Sequence, residues 1–196
     1  MPGVPILDAT MDVTLAGSVD IWCPQAQEYQ RHRREFRGVQ KLGDKVYFYT
    51  CCCPGGPWLN RLLDMELLRP ALFGWAAARF GLDGFLHWGF NYWQPGQDPF
   101  QMNNIPWPPG DGPKPNCLPA GDTHISYPGS DGPWSSVRLE AQREGFEDYE
   151  LLKTLGEKNR AALQRVSGRA IRAFDRYARD VSVFRRARRA LLEATQ

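Results

Sequence analysis

No stretch of this chain is both long enough and apolar enough to span a bilayer. The opening MPGVPILDATMDVTL also lacks the charged n-region and unbroken apolar core of a signal peptide. A soluble chain with no membrane partner is therefore expected. Its location depends on any export signal carried by a longer product, and would be extracellular or periplasmic with one. Cysteine is scarce and badly spaced for scaffolding. The five are Cys23, the run Cys51, Cys52 and Cys53, and Cys117, an odd number with no CxxC pair, which argues against a disulfide framework and a zinc ribbon. In an extended segment Cys51 and Cys53 share a face, and with His87 they suggest a metal. The simpler reading takes them as small buried hydrophobes ending a core strand, so no metal and no cofactor are expected. Net charge is small as well, at +2, but it is unevenly spread. Ten arginines fall between residues 160 and 196, against Asp175, Asp180 and Glu193.

What the chain does have is length for one domain and aromatic rings in unusual places. Its 196 residues are 42% apolar, enough for a real core. Seven Trp, seven Tyr and ten Phe are present, several beside Gly, Pro or Asn, where cores seldom place them. Four short apolar runs read as strands buried on both faces: VPILD (residues 4–8), VDIWCP (19–24), KVYFYTCC (45–52) and GFLHWGF (84–90). Between them, residues 25–42 and 62–80 carry helical patterns, the second stopped by GLDG. Strand and helix in alternation imply right-handed parallel crossovers, hence an α/β class.

Residues 94–120 hold eight of the sixteen prolines and cannot form a regular element. With Phe100, Trp107, Asn103 and Asn104 they read as a lid. After it, Ser135 or Ser136 caps a helix running to about residue 155, with Val137, Ala141, Gly145, Asp148, Leu152 and Leu155 along one stripe. Gly145 permits close approach to a neighbour. Asp148 falls on the buried side and needs a partner from another element, because an unpaired buried charge is costly. Beyond it, Arg165, Arg169, Arg172, Arg176 and Arg179 recur at helical spacing opposite Phe174, Val181 and Phe184. The stripe reads as the solvated face of a terminal helix, and no recognised nucleic-acid motif accompanies it, so nucleic acid is not expected as a partner.

The succession VDIWCPQ, GWAAARFGLDGFLHWGFNYW, GDTHISYPG and SSVRLEAQREGFEDYELL resembles the C-terminal half of the catalytic domain of glycoside hydrolase family 123, also known as domain of unknown function 4091. The resemblance implies the last four strands of a (β/α)8 barrel over residues 1–155, closed by the helix at 136–155; beyond it, the arginine spacing makes residues 156–196 an Arg-rich helical extension. A whole barrel takes about 250 residues and eight strands, so an upstream segment or self-association is expected to cover the open edge. It further implies action on β-linked N-acetylgalactosamine or related N-acetylhexosamine glycans. The sugar's own acetamido oxygen attacks, one carboxylate orients it and a neighbouring carboxylic acid protonates the leaving oxygen. That pair is an adjacent Asp-Glu, and no such dipeptide occurs in the chain. Glu147-Asp148 reverses the order inside the last helix, so it does not qualify. Barrel sites lie at the carboxyl ends of strands. Pyranose faces stack on indoles while amides and carboxylates bind hydroxyls. Trp22, Tyr49, Trp88, Asn91, Trp93, Asp122 and Tyr127 are accordingly the expected sugar contacts, although strand aromatics such as Trp22, Tyr49 and Trp88 also serve packing. A non-catalytic carbohydrate-binding protein is the alternative.

Overall fold

The structure, a computed structural model, describes residues 3–103 and 117–195. Asn104 and Trp107 of the Pro-rich segment lie outside the described residues. Four strands, β1 (Leu7–Asp8), β2 (Ile21–Trp22), β3 (Lys45–Tyr49) and β4 (Gly84–Leu86), form one parallel sheet in sequential order. Each expected run contains its strand but outlasts it, because pairing stops where the neighbour ends. Helices α1 (Ala26–Arg31) and α2 (Arg33–Lys41) cross from β2 to β3, meeting at His32, whose backbone leaves the helical region. They pack through Tyr29, Phe36 and Val39.

The second crossover holds α3 (Leu68–Ala71) and α4 (Phe73–Phe80). The sequence pattern places a helix start at residue 62, whereas the structure starts it at Leu68. Pro70 is the reason: it lacks an N–H and its ring clashes with the carbonyl four residues earlier, so it is tolerated only in a first turn. Gly81 ends α4 as GLDG suggests. After the Pro-rich segment come a hairpin of β5 (Tyr127–Pro128) and β6 (Pro133–Trp134) and the helix α5 (Val137–Lys158). Ser136 caps α5 by accepting from the Leu139 N–H. Gly145 does permit close approach: a Cβ there would lie 2.3 Å from the Ala71 carbonyl oxygen.

The last part departs from a continuous Arg-striped helix. α6 (Arg160–Ala170) ends before a second hairpin, β7 (Ile171–Ala173) and β8 (Arg176–Tyr177), and α7 (Val181–Thr195) follows. Buried Ile171 and Ala173 flank exposed Arg172, a period of two instead of 3.6. Phe174 at the hairpin tip inserts among Tyr29, Phe48 and Phe80, with ring centroids 5.9, 5.1 and 5.3 Å away. Asp148 is satisfied as its position demands. Its carboxylate accepts from the Trp75 indole on α4 and from Arg188 Nε on α7, both at 3.0 Å. Among the described residues no helix is long and apolar enough to cross a membrane.

Among the described residues the sheet is fully covered on one face and partly on the other. Val46 and Phe48 of β3 and Phe85 of β4 pack into the core, Phe48 against Phe73 and Phe85 at 5.6 and 4.9 Å. Tyr47 and Tyr49, alternating with them, are half-buried, and β1 is exposed throughout. The expectation of strands buried on both faces is thus met on one side.

Candidate functional site

The site grows from the carboxyl ends of β3 and β4. Beyond Leu86 the chain leaves the sheet, and His87, Trp88 and Gly89 lie against residues 121–123. The approach is so close that a Cβ on Gly89 would sit 2.6 Å from the Thr123 carbonyl oxygen, so only glycine fits. Backbone bonds continue the contact: Tyr92 N–H donates to the Thr123 carbonyl at 3.1 Å, and Ile125 N–H to the Phe90 carbonyl at 2.8 Å. Asn91 pairs antiparallel with His124.

Two buried arginines hold this contact. Arg138, at the start of α5, donates to the carbonyls of Arg61, Gly121 and His124 at 2.8, 2.9 and 2.8 Å. Arg61 donates to the Gly89 carbonyl and, at 3.4 Å, to Gln142. Burial, reinforced by the Arg138 charge, pulls the Arg61 pKa down to about 9, with Asp122 opposing. Sequence pattern did not reveal either clamp, because the partners are backbone carbonyls far away along the chain.

Asp122 lies at the centre and is 0% exposed. One carboxylate oxygen accepts from the Trp88 indole N–H at 3.1 Å. The other lies 3.4 Å from His87 Nε2, close enough for ion pairing but without hydrogen-bond geometry, so both atoms lack a hydrogen-bond partner. Burial pushes the His87 pKa down, against the carboxylate's pull. Trp88 itself is 41% exposed. A buried carboxylate therefore fixes the orientation of an exposed indole, and Asp122 positions that ring without opening to solvent.

Tyr49, Trp88, Cys51, Cys52, Cys117, Leu118 and Pro119 line a cavity of about 530 Å³. Burial, followed by the neighbouring Cys51 thiol, keeps the Tyr49 hydroxyl protonated far above neutrality. Beside this cavity stands a second aromatic group. His124 meets Tyr127 edge-on at 5.0 Å and Trp93 at 6.3 Å, while Phe100 of the Pro-rich segment stacks on Tyr127 at 5.1 Å. Six of the expected contacts thus gather at the strand ends: Tyr49 and Trp88 line the cavity, with Asp122 buried behind Trp88, and Asn91, Trp93 and Tyr127 surround His124. Trp22 does not join them. It is fully buried between β2 and α2, its indole donating to Asp44 at 2.9 Å and its ring 6.5 Å from Phe36, because β2 turns it toward the helices. The cysteine run also departs from expectation: Cys51 is buried, but Cys52 is exposed and Cys53 only partly covered.

The fold is thus an α/β domain with a carboxylate-anchored aromatic wall at its strand ends. The chain belongs to glycoside hydrolase family 123, whose catalytic-domain profile matches residues 1–155. Among solved structures it is similar to a family 123 glycoside hydrolase from Clostridium perfringens, analysed for the details of glycolipid glycan hydrolysis. The TM-score is 0.66 at 16% identity, over 95% of this chain and 34% of that one, so the chain spans about a third of that enzyme and the likeness speaks to fold alone. No curated protein sequence matches it.

Proposed function

We propose that this chain is the sugar-binding, C-terminal half of a (β/α)8 glycosidase acting on β-linked N-acetylgalactosamine or related N-acetylhexosamine glycans. On this reading hydrolysis is substrate-assisted, and the Asp-Glu pair that would orient the acetamido group and protonate the leaving oxygen is not in this chain. Sequential parallel order from β1 to β4 suits consecutive barrel strands, and the half-covered face bearing Tyr47 and Tyr49 suits a barrel interior lacking its other half. The carrying observation is Trp88, an exposed indole in the cavity wall held by buried Asp122. A pyranose C–H face would stack on that ring, with Trp93 and Tyr127 extending the wall and Asn91 supplying an amide for hydroxyls.

Calorimetry with N-acetylgalactosamine tests this. Binding is expected to weaken by about tenfold or more, ~1.4 kcal/mol, in Trp88→Ala. An aryl β-N-acetylgalactosaminide should remain uncleaved by the chain alone. Absence of heat with every amino sugar tried would reject the sugar site. Cleavage by the chain alone would reject the missing catalytic pair.

A further inference from the structure

The cysteine run does something that a strand cannot. Successive side chains of an extended segment point to opposite faces, so three consecutive thiols should not meet. Here β3 ends at Tyr49 and the chain bends at Cys51 and Cys52. The Cys51 N–H donates to the Cys53 carbonyl at 2.8 Å, closing a tight turn. Fully buried Asn60 braces it, its amide donating to the carbonyls of Cys51 and Pro54 at 2.8 and 3.1 Å. The three sulfurs end up within 4.8 Å of one another, Cys51 Sγ at 3.8 Å from Cys52 Sγ and 3.5 Å from Cys53 Sγ.

We propose that Cys51, Cys52 and Cys53 form a binding site for one soft, thiophilic d10 cation of the zinc and cadmium class, in the wall of the cavity that Tyr49 and Trp88 line. Two thiolates about 2.3 Å from zinc at a tetrahedral angle are separated by ~3.8 Å, close to the sulfur spacings found here. Thiolate ligands select such ions over hard cations. Each thiol releases its proton to solvent as its sulfur–metal bond forms, with no change of oxidation state. Three protein ligands leave a fourth position for water or a solute, and exposed Cys52 gives the ion a way in. His87 is not a ligand, since its Nε2 faces Asp122.

The test uses the full chain, reduced with a phosphine, freed of metal by a chelator and titrated with Cd²⁺. Thiolate-to-cadmium charge-transfer absorption should saturate at one ion per chain, with the intensity of three sulfurs. Cys52→Ser, at an exposed position where folding is not at stake, should weaken uptake by more than the roughly 10- to 100-fold that loss of an outer-shell partner costs. The double variant Cys51→Ser/Cys53→Ser should abolish it, and Cys117→Ser, in the same cavity wall, should leave it unchanged. No charge-transfer band in the fully reduced chain overturns the proposal. So does uptake that survives Cys52→Ser but is lost in Cys117→Ser. Sugar calorimetry is a separate measurement, so this proposal and the glycosidase reading can fail independently.

Discussion

Of the two arginines that hold the site together, Arg138 ties residues 121–124 to Arg61, and removing it gives a defined expectation. Arg138→Met keeps the aliphatic stem but deletes the donors that reach the carbonyls of Arg61, Gly121 and His124. Hydrogen bonds from a charged donor contribute about 1.5–3 kcal/mol each, so three could reach ~5–9 kcal/mol. Two effects reduce that. A buried guanidinium without a carboxylate pays a desolvation cost of several kcal/mol, which the variant recovers, and Arg61 beside it is relieved of a like charge. Residues 119–126 can also open and give their carbonyls to water before the helices unfold. The net loss should be about 2–4 kcal/mol and local. Native-state hydrogen exchange reads it directly: the Ile125 and Tyr92 amides, bonded to Phe90 and Thr123, should exchange roughly 30- to 700-fold faster, at a factor of ten per 1.4 kcal/mol. The Ala76 amide in α4 should keep its protection. Arg138→Lys should behave much like Met, since an ammonium cannot reproduce the planar fork. Unchanged exchange at Ile125 and Tyr92 would show that the clamp contributes nothing. A uniform loss that includes Ala76 would show that it holds the whole fold and not the site.

Other expectations are more compact. Asp148→Ala leaves the buried Trp75 N–H unbonded and should cost ~2–4 kcal/mol in urea unfolding, whereas Asp148→Asn, still an acceptor for Trp75, should cost ~1 kcal/mol; equal losses would refute the hydrogen-bond account. Gly145→Ala should destabilise by ~1–3 kcal/mol despite alanine's better helix propensity, because the new methyl meets the Ala71 backbone; a stabilised variant would contradict the packing. Burial lowers the pKa of both His87 and His124, so the unfolded chain binds protons below the ordinary value of 6.5 before the folded one does. Stability should therefore be full above that value and fall as the pH drops through the window beneath it, and a His87→Gln/His124→Gln variant should show a flatter urea midpoint against pH. The half-covered sheet should make the isolated chain self-associate in light scattering; a clean monomer with a sharp melt would count against the half-barrel reading.

The strands were readable because buried parallel strands concentrate apolar residues into short runs, and the cap at Ser136 and the close approach at Gly145 follow from local chemistry. Asp148 could be placed on a buried stripe by helical period alone, although its partners Trp75 and Arg188 could not. Where reading failed, a non-local fact had decided the matter. Trp22 and Trp88 look alike in sequence, but β2 aims one at α2 while the other lies beyond the end of β4. The arginine spacing after residue 160 mimics a helix, yet the core needs Phe174, and a hairpin delivers it. Arg61 and Arg138 left no pattern, since a buried cation satisfied by carbonyls has no sequence partner to betray it.

One arrangement ties the uncovered face to the site. Parallel sheets are found almost always with both faces covered, yet here Tyr47 and Tyr49 stand on a face that the described residues cover only in part. At the strand ends beside it, Thr50 Oγ1 and Arg61 Nε are buried without hydrogen-bond partners among the described residues, and His87 Nε2 and Asp122 Oδ1 face each other at 3.4 Å. A buried polar group left unpaired costs about 1–3 kcal/mol, so further polar partners at this end of the sheet would be stabilising. On the half-barrel reading, inward-facing side chains of the remaining strands would cover Tyr47 and Tyr49, and polar groups at their ends would fall beside Asp122 and His87. Closure would then remove apolar surface from water and bring polar partners to these atoms in the same step. On that reading, site assembly and barrel stability would be one event, completed at the strand ends where sugar is proposed to bind.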